Sequence, residues 1–143
     1  MQRTAKAVWD GDLKTGTGTI DTGSGALTRR KYNFVSRFED GQETNPEELL
    51  AAAHAGCFSM AVVAELGRAG VAVQQVATEA KVTMERVDGK PTITAIALHM
   101  SAKAPGSNRD AIQAAAEGAR AGCVISRALA PSIAVTLTTA IEV

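Results

Sequence analysis

Thr44 to Met60 reads TNPEELLAAAHAGCFSM, and it sets the element around which the rest of the chain is organised. Asn45 is a good N-cap, Pro46 suits the first helical position, and Glu47 and Glu48 complement the dipole in the first turn, with Glu48 spaced to complete a capping box. The expected stop is Gly67 or Gly70. Between Leu49 and Ala64 the helix is apolar on nearly every face, which predicts an element buried on several sides at the centre of the fold. The run is shorter than the ~20 apolar residues of a membrane span and contains His54 and Ser59, so a core helix is expected. Cys57 stands among Ala53, Ala55 and Gly56, small residues that admit close neighbours; a helical glycine costs about 1 kcal/mol relative to alanine, which close packing would offset.

Before this helix the chain is rich in Gly and Thr, with short apolar runs in TAKAVWDG, GTGTIDTGSGAL and KYNFVSRF that predict an opening antiparallel meander. After it, VATEAKVTMERV alternates apolar and polar residues from Ala80 to Met84, the pattern of a half-exposed strand. The turn Asp88-Gly89-Lys90 leads into PTITAIALHMSA, so the two runs predict a long hairpin. Ser107 or Asn108 is the expected N-cap of a helix over Asp110 to Ala121, and a short helix over roughly Val124 to Ala130 follows Gly122 and Cys123. The last run turns Ile133, Val135, Leu137, Thr139 and Ile141 inward and is expected to close the sheet. Strands before and after a long helix, without βαβ alternation, predict an α+β fold: a mainly antiparallel sheet packed with the central helix, all within one domain over 1–143.

Composition narrows the function. Only five of the 143 residues are aromatic, so the core must be built from Ala, Val, Ile and Leu. Fifteen basic residues balance fifteen acidic ones with no Lys/Arg run, which gives no electrostatic footprint for nucleic acid or an anionic membrane. The N-terminus, MQRTAKAVWDGD, has no apolar run of signal-peptide length, and a cytoplasmic location is expected. GxSxG, HExxH and P-loop motifs are absent, as is a GxGxxG between strand and helix.

Two cysteines remain, and three readings of them are open. Cys57, Cys123, His54 and His99 offer four zinc ligands, although without CxxC or HxxxH spacing. His54 and Cys57 lie three apart on one helical face and can touch, as a base beside a thiol nucleophile. Alternatively the cysteines act together: Cys123 opens a short helix whose free N–H groups favour a thiolate, and a sulfenic acid formed on Cys57 by a peroxide condenses with it to a disulfide.

The segment RFEDGQETNPEELLAAAHAGCFSM, with RAGCVISRAL some distance beyond it and AVWDGDLKTGTGTIDTGSGAL at the front, resembles the OsmC/Ohr family of hydroperoxide peroxidases, and its OsmC branch in particular. The resemblance spans almost the whole chain. It implies a thiol-dependent peroxidase acting on organic hydroperoxides, an intertwined homodimer, no bound cofactor, and recycling by an external dithiol such as a lipoyl group. It places the peroxidatic cysteine on Cys57, the resolving cysteine on Cys123, an arginine on Arg37 and its acidic partner on Glu47. Burial raises a thiol pKa, so a nearby cation is needed to keep a thiolate at neutral pH, and Glu47 would orient that guanidinium.

Glu47 and Cys57 are ten residues apart, about 15 Å along a straight helix, so either the helix bends after its first turn or Arg37 comes from the partner chain, and a site shared in part between subunits is expected. Phe38, Phe58 and Met60 are the candidates for an apolar substrate pocket. Gly56 stands where the family often has alanine, and Val124 where proline commonly follows the second cysteine. A non-catalytic redox sensor using the same two thiols is the alternative.

Overall fold

A computed structural model describes residues 1–143, which form two compact units, Met1–Leu49 and Leu50–Val143. The first unit opens with an antiparallel sheet of β1 (Ala5–Asp10), β2 (Thr17–Thr22) and β3 (Arg30–Tyr32), in that order. Trp9 and Tyr32 pack with ring centroids 5.4 Å apart across Gly18. A Cβ on Gly18 would come within 2.3 Å of the Tyr32 ring, so glycine is what lets the two aromatics flank the strand.

The third strand ends earlier than KYNFVSRF suggests, because Phe34–Phe38 forms a short helix, α1. The cause is local: Asn33 Oδ1 accepts the Ser36 N–H at 2.8 Å, while Ser36 Oγ accepts the Asn33 N–H at 3.0 Å. This capping box, built on serine in place of the usual Glu or Gln, overrides the alternation of the run.

α2 spans Pro46–Arg68 without interruption, 23 residues and longer than the apolar run alone indicates. Asn45 caps it as expected, accepting the Glu48 N–H at 2.8 Å. Glu48 does not close the reciprocal half of a box, since its carboxylate takes the Thr44 hydroxyl at 2.9 Å. Gly70, at φ +69°, is the stop, with Val71 N–H on Leu66 C=O and Gly70 N–H on Gly67 C=O. That pair of bonds is a Schellman cap, and Gly67 lies inside the helix.

The second unit carries β4 (Gln75–Val87), β5 (Lys90–Lys103) and β6 (Ala134–Glu142), with β5 in the middle. β4 and β5 form the expected hairpin, turned by Asp88 and Gly89, both at positive φ as a two-residue loop requires. The strands therefore form two three-stranded sheets rather than one, and β6 joins β5 in parallel. A parallel neighbour cannot be reached through a tight turn, so the chain crosses over through α3 (Arg109–Gly122, capped by Asn108) and α4 (Val124–Leu129).

One face of this sheet holds Ile96, Leu98, Met100 and Ala102 of β5, all fully or nearly fully buried. Against it pack Phe58, Val62 and Leu66 of α2 and Ile112, Ala115, Ala116 and Ala119 of α3, each set at the three- and four-residue spacing of a helical stripe. His54 extends the α2 stripe by one turn. The expectation of a helix buried on several sides is corrected here. Residues at the four-residue interval from His54 to Leu66 are buried, whereas Met60 is 77% exposed and Val63 is also exposed. Within the second unit, one sheet face, α3 and α4 pack against α2, and together they cover a single stripe. Gly56 likewise faces open space, so no close neighbour within the chain offsets its cost.

Candidate active site

In the second unit, the thiol of Cys57 sits midway along α2 and that of Cys123 at the N-cap of α4, with the two Sγ atoms 3.0 Å apart. Both are free thiols in contact, so one proton lies between them. Cys57 is half-buried, while Cys123 is sealed at 1% exposure. An oxidant from solvent can therefore reach only the first.

Burial pushes the Cys57 thiol up, and the hydrogen bond and like charge of Cys123 add to this; the N–H groups of Ile125 and Val124 at the start of α4 oppose it. Cys123 moves the other way. Burial alone would raise it, but the hydrogen bond with Cys57, the Ser126 N–H and hydroxyl and the Ile125 N–H together bring it below the ordinary thiol value. No capping bond is closed by its side chain, yet these dipoles all favour the anion. At rest the pair is best described as a thiol on Cys57 beside a thiolate-prone Cys123.

Behind the sulfurs, His54 Nε2 lies 2.8 Å from Ser126 Oγ, with both residues buried. His54 therefore serves Ser126 and not Cys57, and a His–Cys dyad is not formed. Burial holds its pKa below the ordinary 6.5, so the ring is neutral. His99 is on the exposed side of β5, bonded to Thr138 at 2.9 Å, and no three His, Cys, Asp or Glu side chains converge as metal ligands. Sequence reasoning missed Ser126. Its only signal is its position three residues after Cys123, one turn along a short helix.

In the first unit, α1 presents Arg37 and the first turn of α2 presents Glu47. Arg37 Nη2 and Nε both reach Glu47 Oε1, at 2.9 and 3.2 Å, and Nε lies 3.3 Å from Oε2. Ser36 aligns the two helix starts: its hydroxyl donates to Thr44 C=O at 3.0 Å and its own C=O accepts from Asn45 Nδ2 at 2.9 Å. Gly41 permits this turn, since a Cβ there would meet the Ser36 backbone at 2.5 Å. The guanidinium also lies 5.1 Å from the Phe38 ring centroid.

Of the three pocket candidates, Phe58 and Met60 do not line one surface. Phe58 is wholly buried in the core and offers no surface to a substrate, whereas Met60 projects into the open. Two helical positions are about 200° apart, so these residues cannot share a face. Phe38, 39% exposed, belongs to the first unit.

The OsmC-like protein family model matches residues 39–138. Peroxiredoxin OsmC of Escherichia coli is 41% identical over 133 residues, which cover 93% of each chain. Among solved structures, an organic hydroperoxide resistance protein from Elizabethkingia anophelis superposes with a TM-score of 0.77 at 24% identity over 99% of both chains. An OsmC-like protein from Mycoplasma pneumoniae reaches the same TM-score at 11% identity, covering 100% of this chain and 99% of its own, so the α+β fold persists where the sequence has diverged. Identity at this level across nearly the full length places the chain in the OsmC family.

Proposed function

We propose that the protein is a cysteine-dependent peroxidase that reduces organic hydroperoxides to alcohols. The observation that carries this is the contact between one reachable and one sealed sulfur, 3.0 Å apart. The name of the 41% identical relative, a peroxiredoxin, supports it. The Cys57 thiolate attacks the terminal oxygen of the hydroperoxide; the O–O bond breaks, Cys57 becomes a sulfenic acid and an alkoxide leaves to be protonated to the alcohol. The Cys123 thiolate then attacks the sulfenic sulfur, forming the disulfide and releasing hydroxide. An external dithiol, a lipoyl group being one candidate, returns both thiols and is itself oxidised to a cyclic disulfide.

In this scheme Cys57 needs help to ionise, because its own surroundings push its pKa upward. Arg37 supplies the cation, and the carboxylate of Glu47 holds its planar fork in place. We also propose that the active form is an intertwined homodimer in which part of each site comes from the partner. The uncovered apolar faces of α2 support this, since Met60 and Val63 leave an apolar strip for a second copy to cover. Phe38 and Met60 supply apolar surface for an alkyl substrate. A cytoplasmic location belongs to the same reading.

The test is consumption of cumene hydroperoxide in the presence of dithiothreitol. The wild type turns over many equivalents, Cys57→Ser abolishes consumption, and Cys123→Ser consumes a first equivalent but recycles poorly. Formation of the disulfide without multiple turnover would favour the redox-sensor alternative.

A further inference from the structure

His54 is a buried ionisable group to which the reaction above gives no task. It is fully buried, its Nε2 is 2.8 Å from Ser126 Oγ, and its Nδ1 has no hydrogen-bond partner in the protein. An unpartnered buried nitrogen is uncommon enough to need a reason.

The arrangement is a double tie between two helices. On α2, His54 precedes Cys57 by three residues; on α4, Ser126 follows Cys123 by three. His54 meets Ser126 and Cys57 meets Cys123, so the two contacts run antiparallel along the facing turns. The first contact fixes how the second is aligned.

The neutral ring carries one proton. If it sits on Nδ1, Nε2 can only accept, the Ser126 hydroxyl must donate to it, and nothing remains for Cys123. If it sits on Nε2, the ring donates to Ser126 Oγ and the hydroxyl proton is free for the sulfur of Cys123, the N-cap one turn back on α4. Nδ1 has no acceptor beside it in the protein, so a proton there would be a buried donor left unpaired, and the second arrangement avoids that cost. Resting on the peroxidase reading for its purpose, we propose that His54 and Ser126 are positioning residues for disulfide formation, a donor chain from Nε2–H through Oγ–H to the Cys123 sulfur that holds it as an aligned thiolate.

The step served is attack of Cys123 on the Cys57 sulfenic acid. An S–S bond forms, the S–O bond breaks, the oxygen leaves as hydroxide, Cys57 is reduced and Cys123 oxidised. A donor chain keeps Cys123 ionised until that moment, and the contact between His54 and Ser126 keeps the sulfurs in register.

Thiolate absorbance of Cys123 can be titrated in a Cys57→Ser background, which removes the other titratable group in contact with it. Ser126→Ala should raise the midpoint by about one pH unit, the loss of one charged hydrogen bond. His54→Phe should raise it in part, and the double variant should match Ser126→Ala alone, because His54 acts through Ser126. Ser126→Thr and His54→Gln, which keep donors, should restore most of the effect. With Cys57 present, one equivalent of hydroperoxide and dimedone trapping should show disulfide formation about tenfold slower in Ser126→Ala, with longer-lived sulfenic acid. An unshifted midpoint, or His54 and Ser126 effects that simply add, would overturn the relay. Absence of any hydroperoxide-driven disulfide in the wild type would instead sink the peroxidase reading, and the titration would still judge the relay.

Discussion

Cys57 and Cys123, separated by sixty-six positions in sequence, meet with their sulfurs 3.0 Å apart, and the contact acts oppositely on the two thiols. Burial and the neighbouring sulfur push Cys57 up, whereas hydrogen bonds more than offset burial at Cys123 and bring it down. A covalent disulfide needs about 2.05 Å between sulfurs, so the pair requires roughly 1 Å of further approach and no large rearrangement.

Because Cys123 contributes to raising Cys57, its removal should make the reachable thiol more acidic. In Cys123→Ala, the pH midpoint for sulfenic acid formation at Cys57 should fall below that of the wild type. Stopped-flow oxidation by cumene hydroperoxide across pH measures it. An unchanged or higher midpoint would mean that Cys123 does not control ionisation of Cys57.

The Arg37–Glu47 pair is multidentate, and lysine cannot reproduce a planar fork. Arg37→Met should lower the second-order rate constant for Cys57 oxidation by about 100-fold, comparable to removing one donor aimed at developing charge. Arg37→Lys should recover little of it. Glu47→Gln, which loosens the fork without removing the cation, should cost about tenfold. Equal rates in all four proteins would remove Arg37 from the scheme.

His54 links stability to pH in a defined direction. Burial keeps its folded pKa below 6.5, so the unfolded chain takes up a proton that the folded chain refuses. Its stabilisation is complete above that value and is lost as pH falls from there toward the depressed folded pKa. Urea midpoints measured at about pH 7.5 and about pH 5.5 should fall further for the wild type than for His54→Gln, which has nothing to titrate. Parallel losses would show that the ring does not charge on unfolding.

The uncovered strip on α2 predicts a self-association site. Met60→Asp should shift the protein to a smaller species in analytical ultracentrifugation while leaving the helical signal in circular dichroism intact, since Met60 is 77% exposed within one protomer. If the variant sediments like the wild type, the strip is not the seam between copies.

Much of this was readable from residue order. Asn45, Pro46 and Gly70 bound α2, Asp88-Gly89 dictates a two-residue turn, and the alternation of Ile133 to Ile141 survives as the half-buried side of β6. Apolar character marked the run from Leu49 to Ala64 as a core element, but it could not reveal that only the stripe of Phe58, Val62 and Leu66 is covered within the chain, because apolar character does not say which partner supplies the cover. The α1 turn was hidden because Ser36 takes the place of the usual Glu or Gln in its box. The direction of β6 was hidden too, since a strand's pattern is the same read either way. At the site, cysteine chemistry suggested Cys57 with Cys123 and the family resemblance singled out Arg37 with Glu47, whereas Ser126 had no pattern to announce it.

The parallel pairing of β5 with β6 explains why the sulfurs can meet at all. An antiparallel β6 could have followed β5 through a short turn at the sheet edge, and nothing would then have lain across the face that α2 occupies. To run in the same direction, the chain must travel back along that face, and α3 and α4 are this return path. Cys123 rides on the return path at the joint between its two helices. The second sulfur thus owes its location to topology, and a redesign that reversed the final strand would abolish the redox couple even if every side chain around Cys57 were kept.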